Sequence, residues 1–162
     1  MRPVLPIIDA TPAEVTALTA EILSRGSAVR VRVTGQSMKP LVPSGARIVV
    51  RPVDPEALRS GDIVYFKNAL GAVVLHRIVR VDRDAVRGKR FRTKGDALIA
   101  FDDPVSPEMV LGRAERIERP LPGGRWRTVN LDTRRWRLAG AIMARLHLVG
   151  AKVLLRIRSS GK

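Results

Sequence analysis

Val29-Arg30-Val31-Arg32-Val33-Thr34-Gly35-Gln36-Ser37-Met38-Lys39-Pro40 is the stretch on which the reading of this chain turns. Val29, Val31 and Val33 alternate with Arg30 and Arg32, the period of a strand with one buried face. Gly35 permits a sharp turn and Pro40 ends the stretch. Ser37 is therefore expected at a strand end, with its hydroxyl and its own backbone N–H exposed. That arrangement suits a nucleophile with a built-in oxyanion donor. A serine in a glycine-containing turn is most often only a turn former, so the reading depends on whether a base and an orienting acid follow.

Outward from this box, strands and turns continue from Ala28 to about Arg119. Arg47 to Val53, Ile63 to Phe66, Arg90 to Thr93 and Met109 to Ile117 read as strands, and Asn68-Ala69-Leu70-Gly71 as a hairpin connection. Ala72 to Val81 carries apolar residues on both faces, as a doubly covered strand does. Short strands without intervening helices predict a compact antiparallel β-barrel or sandwich. Ahead of them, Thr11-Pro12-Ala13-Glu14 is a capping box with proline at the first helical position. Val15, Leu18 and Ile22 follow at helical spacing and Gly26 is the stop, so a short helix is predicted over about 11–25. This organisation gives one domain over 1–120. After Pro120-Leu121-Pro122-Gly123-Gly124 a linker is expected over 121–132, then a long helix over 133–162. Trp136, Ala139, Ile142, Met143, Leu146, Val149, Val153, Leu154 and Ile157 form its apolar stripe, with Arg137, Arg145, Lys152 and Arg156 opposite.

The 162 residues include no cysteine, which excludes disulfides, zinc-thiolate sites and thiol nucleophiles. Two histidines, His76 and His147, and no carboxylate cluster at ligand spacing leave no metal site to predict, and no cofactor is expected. The net charge is +15, and about two-thirds of the excess lies beyond Leu111. An anionic partner surface follows from that charge. The C-terminal helix reads either as a packing helix with a solvated basic face, or as an interfacial anchor on anionic lipid with Trp136 near the headgroups. Without a helix-turn-helix or an aromatic stacking set, nucleic acid is not the expected partner. Met1 to Ala10 does not read as a signal peptide, and no run of about 20 apolar residues reads as a transmembrane helix. The expected location is cytoplasmic or peripheral on a membrane.

A base and an acid do follow Ser37. His76 stands inside Val74-Leu75-His76-Arg77-Ile78-Val79, where a buried imidazole is costly unless paired and where a strand would hold it rigidly. Thr93-Lys94-Gly95-Asp96 and then Asp102-Asp103-Pro104 supply acids that can fix the tautomer of an imidazole. In this order Gly35-Gln36-Ser37-Met38-Lys39-Pro40, Ser60-Gly61-Asp62-Ile63-Val64, His76-Arg77-Ile78-Val79 and Thr93-Lys94-Gly95-Asp96 with Asp102 resemble the boxes of the signal peptidase family, in its Ser–His branch of archaea and the endoplasmic reticulum.

The resemblance covers roughly Ala28 to Ile117. It implies a β fold of the signal peptidase type and a serine endopeptidase acting on an extended peptide or preprotein segment with small residues near the scissile bond. It implies Ser37 as nucleophile, His76 as general base and Asp102 as orienting acid, with Asp96 supporting and Asp103 in reserve. The bacterial branch and the related self-cleaving SOS repressors use a lysine base, which makes Lys67 and Lys94 the second choice. Three departures stand out: Gly45-Ala46-Arg47 replaces the usual Gly-Asp turn, Ala97-Leu98 replaces asparagines after Thr-Lys-Gly-Asp, and the family's membrane spans are missing. The alternative function is a non-catalytic module of the same fold that docks on anionic membrane or nucleic acid through its basic helix.

Overall fold

The computed structural model describes residues 12–86 and 88–159. Helix α1 (Pro12–Ser24) comes first, followed by strands β1 (Val29–Arg32), β2 (Arg47–Arg51), β3 (Ile63–Lys67), β4 (Val73–Asp84), β5 (Gly88–Lys94), β6 (Val110–Pro120) and β7 (Trp126–Asn130), and helix α2 (Arg134–Ser159). The seven strands make one antiparallel sheet in the order β1-β2-β6-β3-β4-β5, with β7 also on β6. The fold is thus the mainly antiparallel β architecture expected, and the sheet is open rather than closed.

Where the sequence alternates, the structure obeys. Val29 and Val31 are buried and Arg32 is exposed. The doubly apolar stretch is β4, which pairs with β3 on one side and β5 on the other. Its alternate residues point to opposite faces. On one face Ile78 joins Leu58, Val64, Phe66, Phe91 and Val105 in a small core. The other face meets a larger core of Leu23, Val29, Val31, Met38, Val42, Ile48, Val50, Ile63, Tyr65, Ile117 and Val129. The sheet is therefore packed on both sides, and the site grows from β4, the strand between.

Helix α1 ends as read: Gly26 has φ +82°, and the N–H groups of Gly26 and Ser27 return to the Leu23 and Ile22 carbonyls. The Thr11 cap lies outside the described residues. Two segments differ from expectation. Within the expected linker, β7 pairs with β6 from Arg116↔Asn130 to Pro120↔Trp126 and buries Val129 in the larger core. The Pro122–Gly124 turn that suggested a break reverses the chain into this hairpin. Helix α2 docks mainly through small residues: Gly140 and Ala144 are buried, whereas Leu138, Ile142, Leu146 and Val149 are 51–63% exposed, and Trp136, expected near headgroups in the anchor reading, instead packs against the larger core. A Cβ on Gly61 would stand 2.6 Å from the Ala141 nitrogen, and one on Gly140 would stand 2.7 Å from the Gly61 carbonyl oxygen. The helix backbone thus lies directly on the turn before β3. No helix among the described residues is long and apolar enough to cross a membrane.

Candidate active site

The loop between β1 and β2 places Ser37. Met38 beside it is 2% exposed and packs into the larger core. Burial of such a side chain is worth about 1.5–3 kcal/mol, so it anchors the turn firmly. The Met38 carbonyl accepts the Val42 N–H (2.9 Å) and the Gln36 carbonyl accepts that of Lys39 (3.1 Å). Gly35 is not the permissive residue expected: its φ is not positive and a Cβ there would meet nothing. Gly45, with φ +85°, makes the sharp bend and gives its N–H to the Val33 carbonyl. Among the described residues, no acceptor takes the Ser37 N–H and no hydrogen bond joins its hydroxyl to His76. The Ser37 carbonyl is held by the Ala97 N–H at 2.8 Å.

His76 is 5% exposed at mid-strand, its ring inclined at 62° to that of Phe66 with the centroids 6.4 Å apart. Its Nδ1 is 2.7 Å from Asp102 Oδ2, and Thr93 Oγ1 donates to the same oxygen at 2.7 Å. Alternation explains the grouping. Ile78 is the register partner of Thr93, so Thr93 shares the face of His76 and Ile78. The loop after β5 folds back on that strand through the Phe91–Val105 bridge and the Asp102 N–H to the Thr93 carbonyl (3.0 Å), returning Asp102 to the same face. Burial works to raise the Asp102 pKa, but hydrogen bonds from His76 and Thr93, with the charges of His76 and Lys94, outweigh it and hold the carboxyl below its ordinary value.

The Ser37 loop and the His76 ring meet at Gly95. A Cβ on this glycine would stand 2.7 Å from the Ser37 carbonyl oxygen, 2.9 Å from Leu98 Cγ and 3.0 Å from His76 Nε2. The bare backbone of the turn therefore lets the serine loop and the free imidazole edge approach from two sides.

The remaining candidates separate cleanly. Asp96 does not touch His76. It lies on the opposite face of the sheet, where its side chain is 3% exposed and takes the Arg77 Nε and Nη2 donors at 2.8 and 2.6 Å. Asp103 is exposed in the loop. Lys67 is exposed at the far end of β3, three residues beyond the partner of His76. Lys94 is buried, and its ammonium donates to the Gly95 carbonyl (3.3 Å) and to His147 Nδ1 (3.0 Å). Burial lowers its pKa, with Asp96 and Asp102 opposing. Among the described residues, no group of three or more His, Cys, Asp or Glu is placed to hold a metal ion.

Two participants were not assigned from sequence. Thr93 sits within the Thr-Lys-Gly-Asp box, and strand alternation could have placed it beside His76. His147 on α2, given no role by its sequence context, lies between Lys94 and Asp96. A search of curated proteins finds no match. Residues 6–87, half of the chain, match the model of a family described as Peptidase S24-like.

Proposed function

Since the chain belongs to the Peptidase S24-like family, a family with a peptidase-like hydrolase fold, we propose that it is a serine endopeptidase using Ser37, His76 and Asp102. The observation that carries this reading is the Asp102–His76 pair at 2.7 Å, with Thr93 fixing the carboxylate and Nε2 turned toward the serine loop. An imidazole whose Nδ1–H is given to a carboxylate presents Nε2 as an acceptor.

Ser37 Oγ attacks the carbonyl carbon of an extended peptide while His76 Nε2 takes the hydroxyl proton. Asp102 stabilises the imidazolium so formed. The Ser37 N–H, which has no partner among the described residues, donates to the developing oxyanion. His76 then gives its proton to the leaving amine. Water, deprotonated by the same nitrogen, attacks the acyl-serine, releasing the carboxylic acid and restoring the hydroxyl. Strand β1 leads into this loop, and among the described residues it pairs only with β2, so its other edge suits an added substrate strand. His76 is preferred to the lysines because Lys67 is remote and Lys94 is committed to His147 and the Gly95 carbonyl.

A second element of the reading concerns α2. Leu138, Ile142, Leu146 and Val149 leave an apolar ridge exposed on a helix that also carries Arg134, Arg135, Arg137 and Arg145. This ridge with its basic flanks fits the interface of an anionic membrane, on which the enzyme would be peripheral.

The test is cleavage of an extended-peptide library by the wild-type chain, Ser37→Ala, His76→Ala, Lys67→Ala and Lys94→Ala. Cleavage lost in Ser37→Ala and His76→Ala but kept in Lys67→Ala and, at least in part, in Lys94→Ala supports the reading. Full cleavage by Ser37→Ala refutes it. A wild-type chain without cleavage that still binds anionic vesicles or nucleic acid favours the non-catalytic module.

A further inference from the structure

On the face of the β4–β5 pair opposite His76 lies a polar cluster that the hydrolytic steps do not use. Arg77 and Lys94 are register partners, 4% and 5% exposed, and both point toward α2. His147 Nδ1 is 3.0 Å from Lys94 Nζ, and His147 Nε2 is 3.3 Å from Asp96 Oδ1. Asp96 holds Arg77 through two donors, and Arg77 Nη1 continues to the Gly61 carbonyl at 2.9 Å.

The chemistry of the donors sets the state of His147. An ammonium has no lone pair, so Lys94 donates and Nδ1 accepts. The ring proton is then on Nε2 and is given to Asp96. His147 is neutral, and it grips the turn between Lys94 and Asp96 from both ends. That turn carries the active site: Gly95 abuts His76 Nε2 and the Ser37 carbonyl oxygen, and Ala97 donates to that same carbonyl. A shift of the turn moves nucleophile and base together.

We propose that His147 is a positioning residue for Ser37 and His76, and that α2 is an intramolecular activator whose His147 grip on the turn is released by acid. The inference rests on the serine-peptidase reading for its catalytic consequence. A protonated Nδ1 would face the Lys94 ammonium donor to donor. From β4 the Arg77 guanidinium adds a second cation, and the Asp96 carboxylate between them is already shared with Arg77. Asp102 lies on the far side of Lys94 and acts on that amine's charge. Burial and Lys94 lower the His147 pKa, with Asp96 opposing, so the docked state resists the proton and the undocked state takes it first.

The experiment measures amide exchange at Ala97, corrected for the intrinsic rate, between pH 8 and pH 5 in the full chain. It is set beside the rate at which a peptidyl phosphonate labels Ser37. In the wild type, Ala97 exchange is expected to rise at least about tenfold as pH falls below about 6.5, while the Val49 amide in the core is unchanged. His147→Gln, whose neutral amide offers one acceptor and one donor, keeps Ala97 protected at pH 5 and labels at the wild-type rate at pH 8. His147→Ala exchanges fast at every pH and labels at least about tenfold slower than wild type at pH 8, the two converging toward pH 5. Ala97 protection and labelling in His147→Ala equal to wild type at every pH would overturn the inference. Absence of Ser37-dependent labelling in the wild type, with the His147-dependent exchange intact, would instead remove the peptidase reading and leave the coupling of α2 to the turn standing.

Discussion

Replacing Asp102 by Asn keeps the shape of the group that holds His76 and removes its charge. In the wild type the carboxylate stands 2.7 Å from His76 Nδ1 and also accepts from Thr93. In the proposed mechanism its charge matters most when His76 becomes imidazolium during acylation. Two unit charges about 4 Å apart at an effective dielectric near 20 interact by about 4 kcal/mol. That corresponds to about a thousandfold in rate. The Asp102 side chain is 25% exposed, so water screens part of this and a loss of about 10²–10³-fold is the expected range. The assay is the second-order rate of Ser37 phosphonylation by a peptidyl phosphonate at pH 8. Stability provides a second reading of the same pair. The folded-state pKa of Asp102 lies below its ordinary value of 3.8, so the pair stabilises the fold above that pH and loses its contribution as pH falls further. Asp102→Asn should flatten this acid limb in urea unfolding. An Asp102→Asn protein that is phosphonylated within threefold of the wild-type rate, while Ser37→Ala does not react, would refute the role given to Asp102.

Three other outcomes follow from the geometry. Gly95→Ala places a methyl 2.7 Å from the Ser37 carbonyl oxygen and 3.0 Å from His76 Nε2, so phosphonylation should fall at least about a hundredfold and the overpacking should cost about 1–3 kcal/mol in urea unfolding; an unchanged rate would mean that the two groups do not meet at this turn. Asp96→Ala strips the partner from a buried Arg77 and should cost about 3–5 kcal/mol in urea unfolding, against less than about 0.5 kcal/mol for the exposed Asp103→Ala. Changing Leu138, Ile142, Leu146 and Val149 together to Ser should reduce co-flotation with vesicles containing phosphatidylglycerol at least about tenfold without lowering thermal stability; equal recovery of both proteins would remove the membrane from the account.

Much of this architecture is legible in the chain because local pattern and tertiary burial agree. Val29 and Val31 alternate and are buried alternately, and the doubly apolar stretch around Ile78 is covered on both faces. Agreement fails where burial uses small residues. Helix α2 packs through Gly140, Ala144 and the partly buried Trp136, whereas Ile142 and Leu146 of its sequence stripe face outward. Strand β7 was hidden because Pro122, Gly123 and Gly124 read as a break and Val129 alone of its residues is buried. In the site, the order of Ser37, His76 and Asp102 was readable, and Asp102 does meet His76. Asp96 was expected at the same centre, but one residue of strand period separates Thr93 from Lys94 and sends the Gly95-Asp96 turn's carboxylate to the other face. His147 could not be placed, because its neighbours are distant in sequence and its helix meets them only in the folded state.

The central claim is that Ser37 forms a covalent acyl intermediate with His76 as its base. Mass mapping of the full chain after reaction with a peptidyl phosphonate tests it most directly. A single adduct on Ser37, absent from Ser37→Ala and formed at least about a hundredfold more slowly in His76→Ala, is the predicted result. An adduct that persists elsewhere at the wild-type rate in Ser37→Ala, or Ser37 labelling indifferent to the loss of His76, would contradict it.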